Sequence, residues 1–136
     1  MITAVDTSVL LDVFGADPTF LERSRNALRK AIADGGLVAC EVVWAEVAGA
    51  FEAPGDAAEA MDQVGIAYDP MTRDAALAAS VVWRRYRRRG GARTRVIANF
   101  LVGAHAAERA DRLLTRDRGF YRSYFRGLSV LDPSRR

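Results

Sequence analysis

An α/β fold of three layers, with a central and mostly parallel sheet of four to five strands between two layers of helices, is what this sequence predicts. Three observations carry the expectation. Short apolar runs alternate with longer stretches of helical periodicity along the whole chain, and strands alternating with helices imply a parallel sheet covered on both faces. Glycine pairs or a Pro-Gly step punctuate the alternation at Gly35-Gly36, Pro54-Gly55 and Gly90-Gly91, where helices end or the chain turns. Acids stand directly after two of the apolar runs, and ligands of open parallel sheets bind beyond the carboxyl ends of the strands. With 136 residues, half of them hydrophobic, the chain is long enough for one well-buried core and too short for two ordinary domains. We therefore expect one compact unit over residues 1–136.

Taken in order, Ile2 to Val5 reads as a short buried strand, and Asp6-Thr7-Ser8-Val9-Leu10-Leu11 as its turn into a helix. Asp17-Pro18 has the look of an N-cap with proline at the first helical position, and Leu21, Leu28, Ala31 and Ile32 recur at helical spacing up to Gly35. Leu37 to Cys40 supplies a second strand and Glu41 opens a helix through about Phe51. After Pro54-Gly55 a small Ala-rich helix containing Met61 and Val64 stops at Gly65, and Ile66-Ala67-Tyr68 forms a third strand. Thr72 caps a long helix built on Ala76, Ala79, Val82, Trp83 and Tyr86, whose terminal arginines complement its negative dipole end. Thr94 caps a helix from Arg95 to Arg109, and Arg112 to Thr115 and Leu128 to Leu131 supply the last two strands.

The charge is uneven. The net charge is +3, the isoelectric point is near 9.5, and Lys30 is the only lysine, so the positive charge is arginine, clustered at Arg84, Arg85, Arg87, Arg88, Arg89, Arg93 and Arg95. Guanidinium forks suit phosphate oxygens, and such a patch attracts a polyanion, of which RNA fits best. No apolar run approaches the ~20 residues of a membrane span, and no basic segment precedes the first apolar stretch, so the expected location is the cytoplasm. Cys40 is the only cysteine, which excludes an internal disulfide and fits a small buried residue at a strand end.

Three carboxylates sit in apolar surroundings. Asp6 closes the first strand, Glu46 lies within Val42-Val43-Trp44-Ala45-Glu46-Val47-Ala48, and Asp117 follows Leu113-Leu114-Thr115. An ionised carboxylate buried alone costs several kcal/mol, so such acids gain a hydrogen bond, an ion pair or a metal. Asn99 has the same setting in Val96-Ile97-Ala98-Asn99-Phe100-Leu101-Val102, with an amide in place of an acid. The topology lets all four reach one cleft. Mg²⁺ and Mn²⁺ prefer hard oxygen ligands and are held by a few carboxylates plus waters and a substrate phosphate. Zinc is disfavoured because the chain has one histidine and one cysteine. His105 falls on a different helix face from Asn99 and reads as structural. Asp12, Asp111 and Glu108 read as surface or capping acids.

These stretches resemble the PIN-domain ribonucleases, and among them the VapC toxins of prokaryotic toxin–antitoxin pairs. The resemblance rests on Asp6 to Leu11, on Glu46 in Val43-Trp44-Ala45-Glu46-Val47, on Asn99-Phe100-Leu101-Val102-Gly103-Ala104-His105-Ala106 and on Leu113-Leu114-Thr115-Arg116-Asp117-Arg118-Gly119-Phe120. It implies an α/β/α PIN fold, Mg²⁺- or Mn²⁺-dependent cleavage of a structured RNA such as transfer or ribosomal RNA, a homodimer, and neutralisation by a VapB-like antitoxin. By position it implies Asp6, Glu46, Asn99 and Asp117 as the catalytic and metal-site residues, with Thr7, Ser8 and Thr115 as supporting hydroxyls. Asn99 stands where the family has aspartate; its carbonyl can still ligate a cation, but the site loses one negative charge, which predicts weakened metal binding and low or absent cleavage. Arg84, Arg85, Arg88, Arg93, Arg95, Arg116 and Arg118 are the RNA-contact candidates. Tyr121, Tyr124 and Phe125 could stack on bases or pack on the sheet, and Phe14, Trp44, Phe51 and Phe100 could line a partner groove or fill the core.

Two enzyme alternatives fail on residue type. A haloacid-dehalogenase-like phosphatase needs an aspartate where Ser8 stands, and both it and a response-regulator receiver need a lysine later than Lys30. No Gly-rich phosphate loop is present. The stronger rival is a catalytically inactive PIN fold that only binds RNA or an antitoxin, with Asn99 as its evidence.

Overall fold

The computed structural model describes residues 1–91 and 97–135. Their elements are β1 (Ile2–Val5), α1 (Thr7–Phe14), α2 (Leu21–Asp34), β2 (Gly36–Ala39), α3 (Glu41–Gly49), α4 (Pro54–Val64), β3 (Ile66–Tyr68), α5 (Arg73–Arg88), α6 (Ile97–Arg109), β4 (Arg112–Leu114), α7 (Arg118–Tyr124) and β5 (Val130–Leu131). The strands form one parallel sheet in the order β3-β2-β1-β4-β5. This is the expected three-layer α/β/α arrangement.

The strand order decides where a ligand can sit. From β1 the chain moves to β2 and β3 on one side and later returns to β4 and β5 on the other, so right-handed crossovers place the connecting helices on opposite faces and leave a crevice beyond the carboxyl ends of β1 and β4. Pairing of Val5 with Leu114 brings those two ends level. The Asp6 N–H extends the ladder by donating to the Leu114 carbonyl at 2.9 Å. Asp6 and Thr115, the residues just past the two strands, therefore face the same crevice.

Val5, Val9, Leu10, Val43, Val47, Phe100, Leu113 and Leu114 are fully buried and fix the layers on the sheet. A second apolar centre is aromatic: Tyr86, Phe100, Phe120 and Tyr124 meet edge to face or tilted at centroid separations of 5.1 to 6.5 Å, a geometry that adds to their burial. Gly103 lets Phe125 lie against α6, since a Cβ there would lie 2.5 Å from the Phe125 ring. Gly65 ends α4 in the left-handed region at φ 88° and its N–H bonds back to Met61 and Asp62 carbonyls, which is the expected role for glycine past a helix end.

The helix expected to start at Asp17-Pro18 begins instead at Leu21. Asp17 closes a preceding turn by accepting from the Thr19 and Phe20 N–H groups, each at 2.8 Å, so its carboxylate is spent before the helix starts. Ile32 and Ala76 are exposed rather than buried; the apolar stripes are narrower than their spacing suggests. The last strand is shorter than Leu128 to Leu131, and α7 is a helix that the sequence pattern does not predict. Thr94, Arg93 and Arg95 lie outside the described residues. Among the described residues, no helix is long and apolar enough to cross a membrane.

Candidate metal centre

Asp6 is the anchor of the crevice. It leaves β1 in extended geometry as the N-cap of α1, its Oδ1 accepting from the Thr7 N–H at 2.8 Å. Its Oδ2 accepts from the Thr115 hydroxyl at 2.7 Å. Thr115 in turn accepts from the Asp117 N–H at 3.0 Å, which holds the first residues after β4 in place. On the other side the Thr7 hydroxyl donates to Glu46 Oε1 at 2.8 Å. One hydrogen-bonded chain thus runs from Glu46 through Thr7, Asp6 and Thr115 to Asp117, joining α3, α1, β1 and β4.

The burial is graded. Asp6 and Thr115 are buried, Asp117 is half-buried and Glu46 is exposed at the mouth. Burial pushes the Asp6 carboxyl above the ordinary carboxylate range; the bonds from Thr115 and Thr7 oppose that, and the nearby Glu46 and Asp117 charges add to it. Two further acids therefore crowd a carboxylate that already resists ionisation. Ser8 Oγ is buried without a hydrogen-bond partner among the described residues, an orphan of the kind that marks a missing ligand or water. Asn99 is half-buried in the first turn of α6, a helix packed on α3 and β1, but it is not a member of the hydrogen-bonded chain.

Among the described residues no three His, Cys, Asp or Glu side chains stand close enough to hold a metal ion between them. The side-chain oxygens of Asp6, Glu46 and Asp117 are hard donors linked by hydroxyls and main-chain N–H groups, a chemistry compatible with a cation that keeps waters and takes substrate oxygens.

Ionised Asp6 is a liability without a cation. Because its folded-state pKa is raised from 3.8, its contribution to stability is complete below that range and is lost as pH rises through the folded value. In metal-free protein at neutral pH, Asp6→Asn is expected to raise stability by about 1 kcal/mol, as neutralising a strained functional acid commonly does. The gain should shrink as the pH is lowered toward the carboxylate range. Melting curves in chelator give the readout, and a variant less stable than the parent at pH 7 contradicts the assignment of Asp6 as a frustrated acid.

A family model described as "PIN domain" matches residues 3–126. This chain belongs to the PIN domain family. Solved structures share the fold of this PIN domain at low identity. A chain of VapBC2 from Rickettsia felis, bound to a DNA fragment from their promoter, is 15% identical with a TM-score of 0.75, covering 97% of this chain and 98% of its own. VapBC-1 from nontypeable Haemophilus influenzae gives 14% and 0.73 over 99% and 100%, and FitAcB from Neisseria gonorrhoeae 20% and 0.67 over 98% of both. No protein with a curated description matches.

The arginines of the PIN domain divide. Arg84, Arg85 and Arg88 are exposed on the last turns of α5, and Arg118 is half-buried at the start of α7. Arg116 is spent internally: Nε and Nη2 donate to the two oxygens of Asp12 at 2.8 and 3.0 Å, and its guanidinium lies 4.2 Å over the Phe20 ring. Its Nε and Nη2 thus serve Asp12, while 29% of the side chain stays exposed. The surface reading of Asp12 is corrected, since Asp12 is buried and also accepts from the Ser24 hydroxyl at 2.7 Å. Asp111 accepts from the Ile2 N–H and Glu108 from the Thr72 hydroxyl, which are the structural roles expected of them. His105 is buried against Asp69, 2.8 Å away, while Arg109 also bonds Asp69. That pairing anchors the segment after β3 and accounts for the histidine. Tyr121 and Phe125 are buried and Tyr124 joins the aromatic cluster, so this segment packs on the sheet. Phe100 is core, whereas Phe14 and Phe51 stack edge to face beside an open hollow.

Proposed function

We propose that this PIN domain is a divalent-metal-dependent endoribonuclease of VapC type, acting on a structured RNA such as transfer or ribosomal RNA and weakened here by Asn99. The observation that carries the reading is the buried Asp6 carboxylate, linked through Thr7 to Glu46 and through Thr115 to Asp117 at the crevice beyond β1 and β4. Two further acids close enough to act on a buried carboxylate favour a cation among them. Asp6, Asp117 and the Asn99 carbonyl would hold it, with Glu46 at the mouth. When bound, Mg²⁺ or Mn²⁺ supplies positive charge to the scissile phosphate and activates the attacking water. Thr7 and Thr115 keep the acids oriented, and Ser8 offers its unpartnered hydroxyl to the same shell.

The VapBC relatives in fold favour a VapB-like antitoxin as partner, and the homodimer rests on the family resemblance alone. Asn99 favours a second reading, a catalytically inactive PIN fold that binds RNA or an antitoxin. Purified protein incubated with total RNA and Mn²⁺ separates the two. Slow cleavage that chelator suppresses and Asp6→Asn removes is the expected result. RNA left intact by this chain and by its Asn99→Asp form alike refutes the nuclease.

A further inference from the structure

Between α2 and the segment after β5 lies a groove of about 380 Å³ lined by Arg23, Asn26, Lys30, Leu131, Asp132 and Arg135. Its chemistry is lopsided. Three cations stand at its rim against one acid, and Asp132 is already turned inward, with only 7% of its side chain exposed and Oδ1 accepting from the Ser134 N–H and hydroxyl at 2.9 and 2.6 Å. The Arg135 to Asp132 approach is a loose 3.9 Å, and Arg23 donates one N–H to the Ser134 carbonyl at 3.1 Å, leaving the rest of its fork open. Leu131 gives the groove an apolar wall against which a ribose or base can rest.

The groove connects to the acidic crevice. The Thr115 N–H donates to the carbonyl of Leu131, a groove residue, at 3.0 Å, and Arg116, the neighbour of Asp117, lies over the ring of Phe20 at the start of α2. Three cations at one rim attract a polyanion, and guanidinium forks suit phosphate oxygens. Arg23, Lys30 and Arg135 therefore line a groove whose Leu131 wall is hydrogen-bonded to Thr115, the partner of Asp6. We propose that the groove between α2 and the segment after β5 binds the phosphodiester backbone of the RNA strand as it leaves the acidic crevice. The proposal rests on the nuclease reading and adds an extended subsite to it, lined by none of the α5 arginines.

The test uses full-length protein in Ca²⁺ and labelled oligouridylates, a trinucleotide and a dodecanucleotide, read by fluorescence anisotropy across a salt series. For Arg23→Gln/Lys30→Gln/Arg135→Gln, dodecanucleotide affinity should fall about 10-fold or more and the magnitude of the log–log salt slope by about 2, since each phosphate contact to a single strand contributes about 0.7. Trinucleotide affinity and the melting temperature should not move. Unchanged dodecanucleotide affinity overturns the groove, as does a loss confined to Arg84→Gln/Arg88→Gln. A poly-glutamate peptide bound as tightly as the dodecanucleotide overturns it in favour of an acidic protein partner. Failure of the unsubstituted protein to bind either oligonucleotide removes the nuclease reading itself, a result distinct from binding that the triple variant leaves intact.

Discussion

Asn99→Asp is expected to raise Mg²⁺-dependent RNA cleavage about 100-fold, the usual scale for restoring one charged group that orients or stabilises a metal-assisted displacement. The side chain keeps its size and its place in the first turn of α6, half-buried on a helix that packs against the elements carrying Glu46 and Asp6. Only the charge changes: an amide carbonyl is a neutral ligand, and a carboxylate attracts a hard cation far more strongly. Two opposing effects act on the metal-free fold. A fourth acid adds repulsion to a crevice where Glu46 and Asp117 already bear on Asp6, while the first turn of α6 has no acidic residue and gains from one, by roughly 0.3–1 kcal/mol. These are similar in size, so the variant should fold and the rate comparison should report the site. Initial rates of RNA cleavage with Mg²⁺ and with chelator provide the measurement. Equal and measurable rates for the two forms remove Asn99 from the site, whereas no cleavage by either leaves the inactive binding protein as the better account.

The crevice was legible in the sequence because its anchors are local. Asp6 and Asp117 come just after apolar runs that become the neighbouring strands β1 and β4, and a parallel sheet gathers the residues past its strand ends along one edge. Glu46 was legible for a different reason, as a charge amid apolar residues of α3. The threading by Thr7 and Thr115 could be expected only as support; which oxygen each hydroxyl serves is a matter of three-dimensional placement. Ile32 shows the limit of periodicity, since it sits one helical turn past the buried Leu28 yet is exposed, the contact surface being narrower than the stripe. α7 escaped because it is short, contains Gly119 and buries Phe120 and Tyr121 in succession, which fits no single helical face. Asp12 escaped most completely. Nothing in α1 signals that its neutralising partner is Arg116, remote in sequence and adjacent in space.

That remote pair carries the largest stability effect we expect. Arg116→Ala should cost about 3 kcal/mol, toward the low end of the range for stripping one partner from a buried ion pair, because the carboxylate left behind has nowhere to go. Asp12 is 3% exposed and would keep only the Ser24 hydroxyl. The discount is for Arg116 itself, whose side chain is 29% exposed and so admits some screening by water. Stacking on Phe20 would go as well. Arg116→Lys should recover only part of the loss, since an ammonium cannot make both of the bonds that Nε and Nη2 make. Removing both charges with Asp12→Asn/Arg116→Met should be milder than Arg116→Ala, because it is the unpaired buried charge that is costly rather than the missing attraction. Urea denaturation of the three variants orders them, and a loss below about 1 kcal/mol for Arg116→Ala would place this pair with ordinary surface bridges. The same series reaches the proposed metal site, since Arg116 stands between Thr115 and Asp117 and ties that segment to α1. Arg116→Lys, which should stay folded, is therefore expected to bind Mn²⁺ more weakly than the parent, through looser placement of Asp117 rather than through any ligand lost.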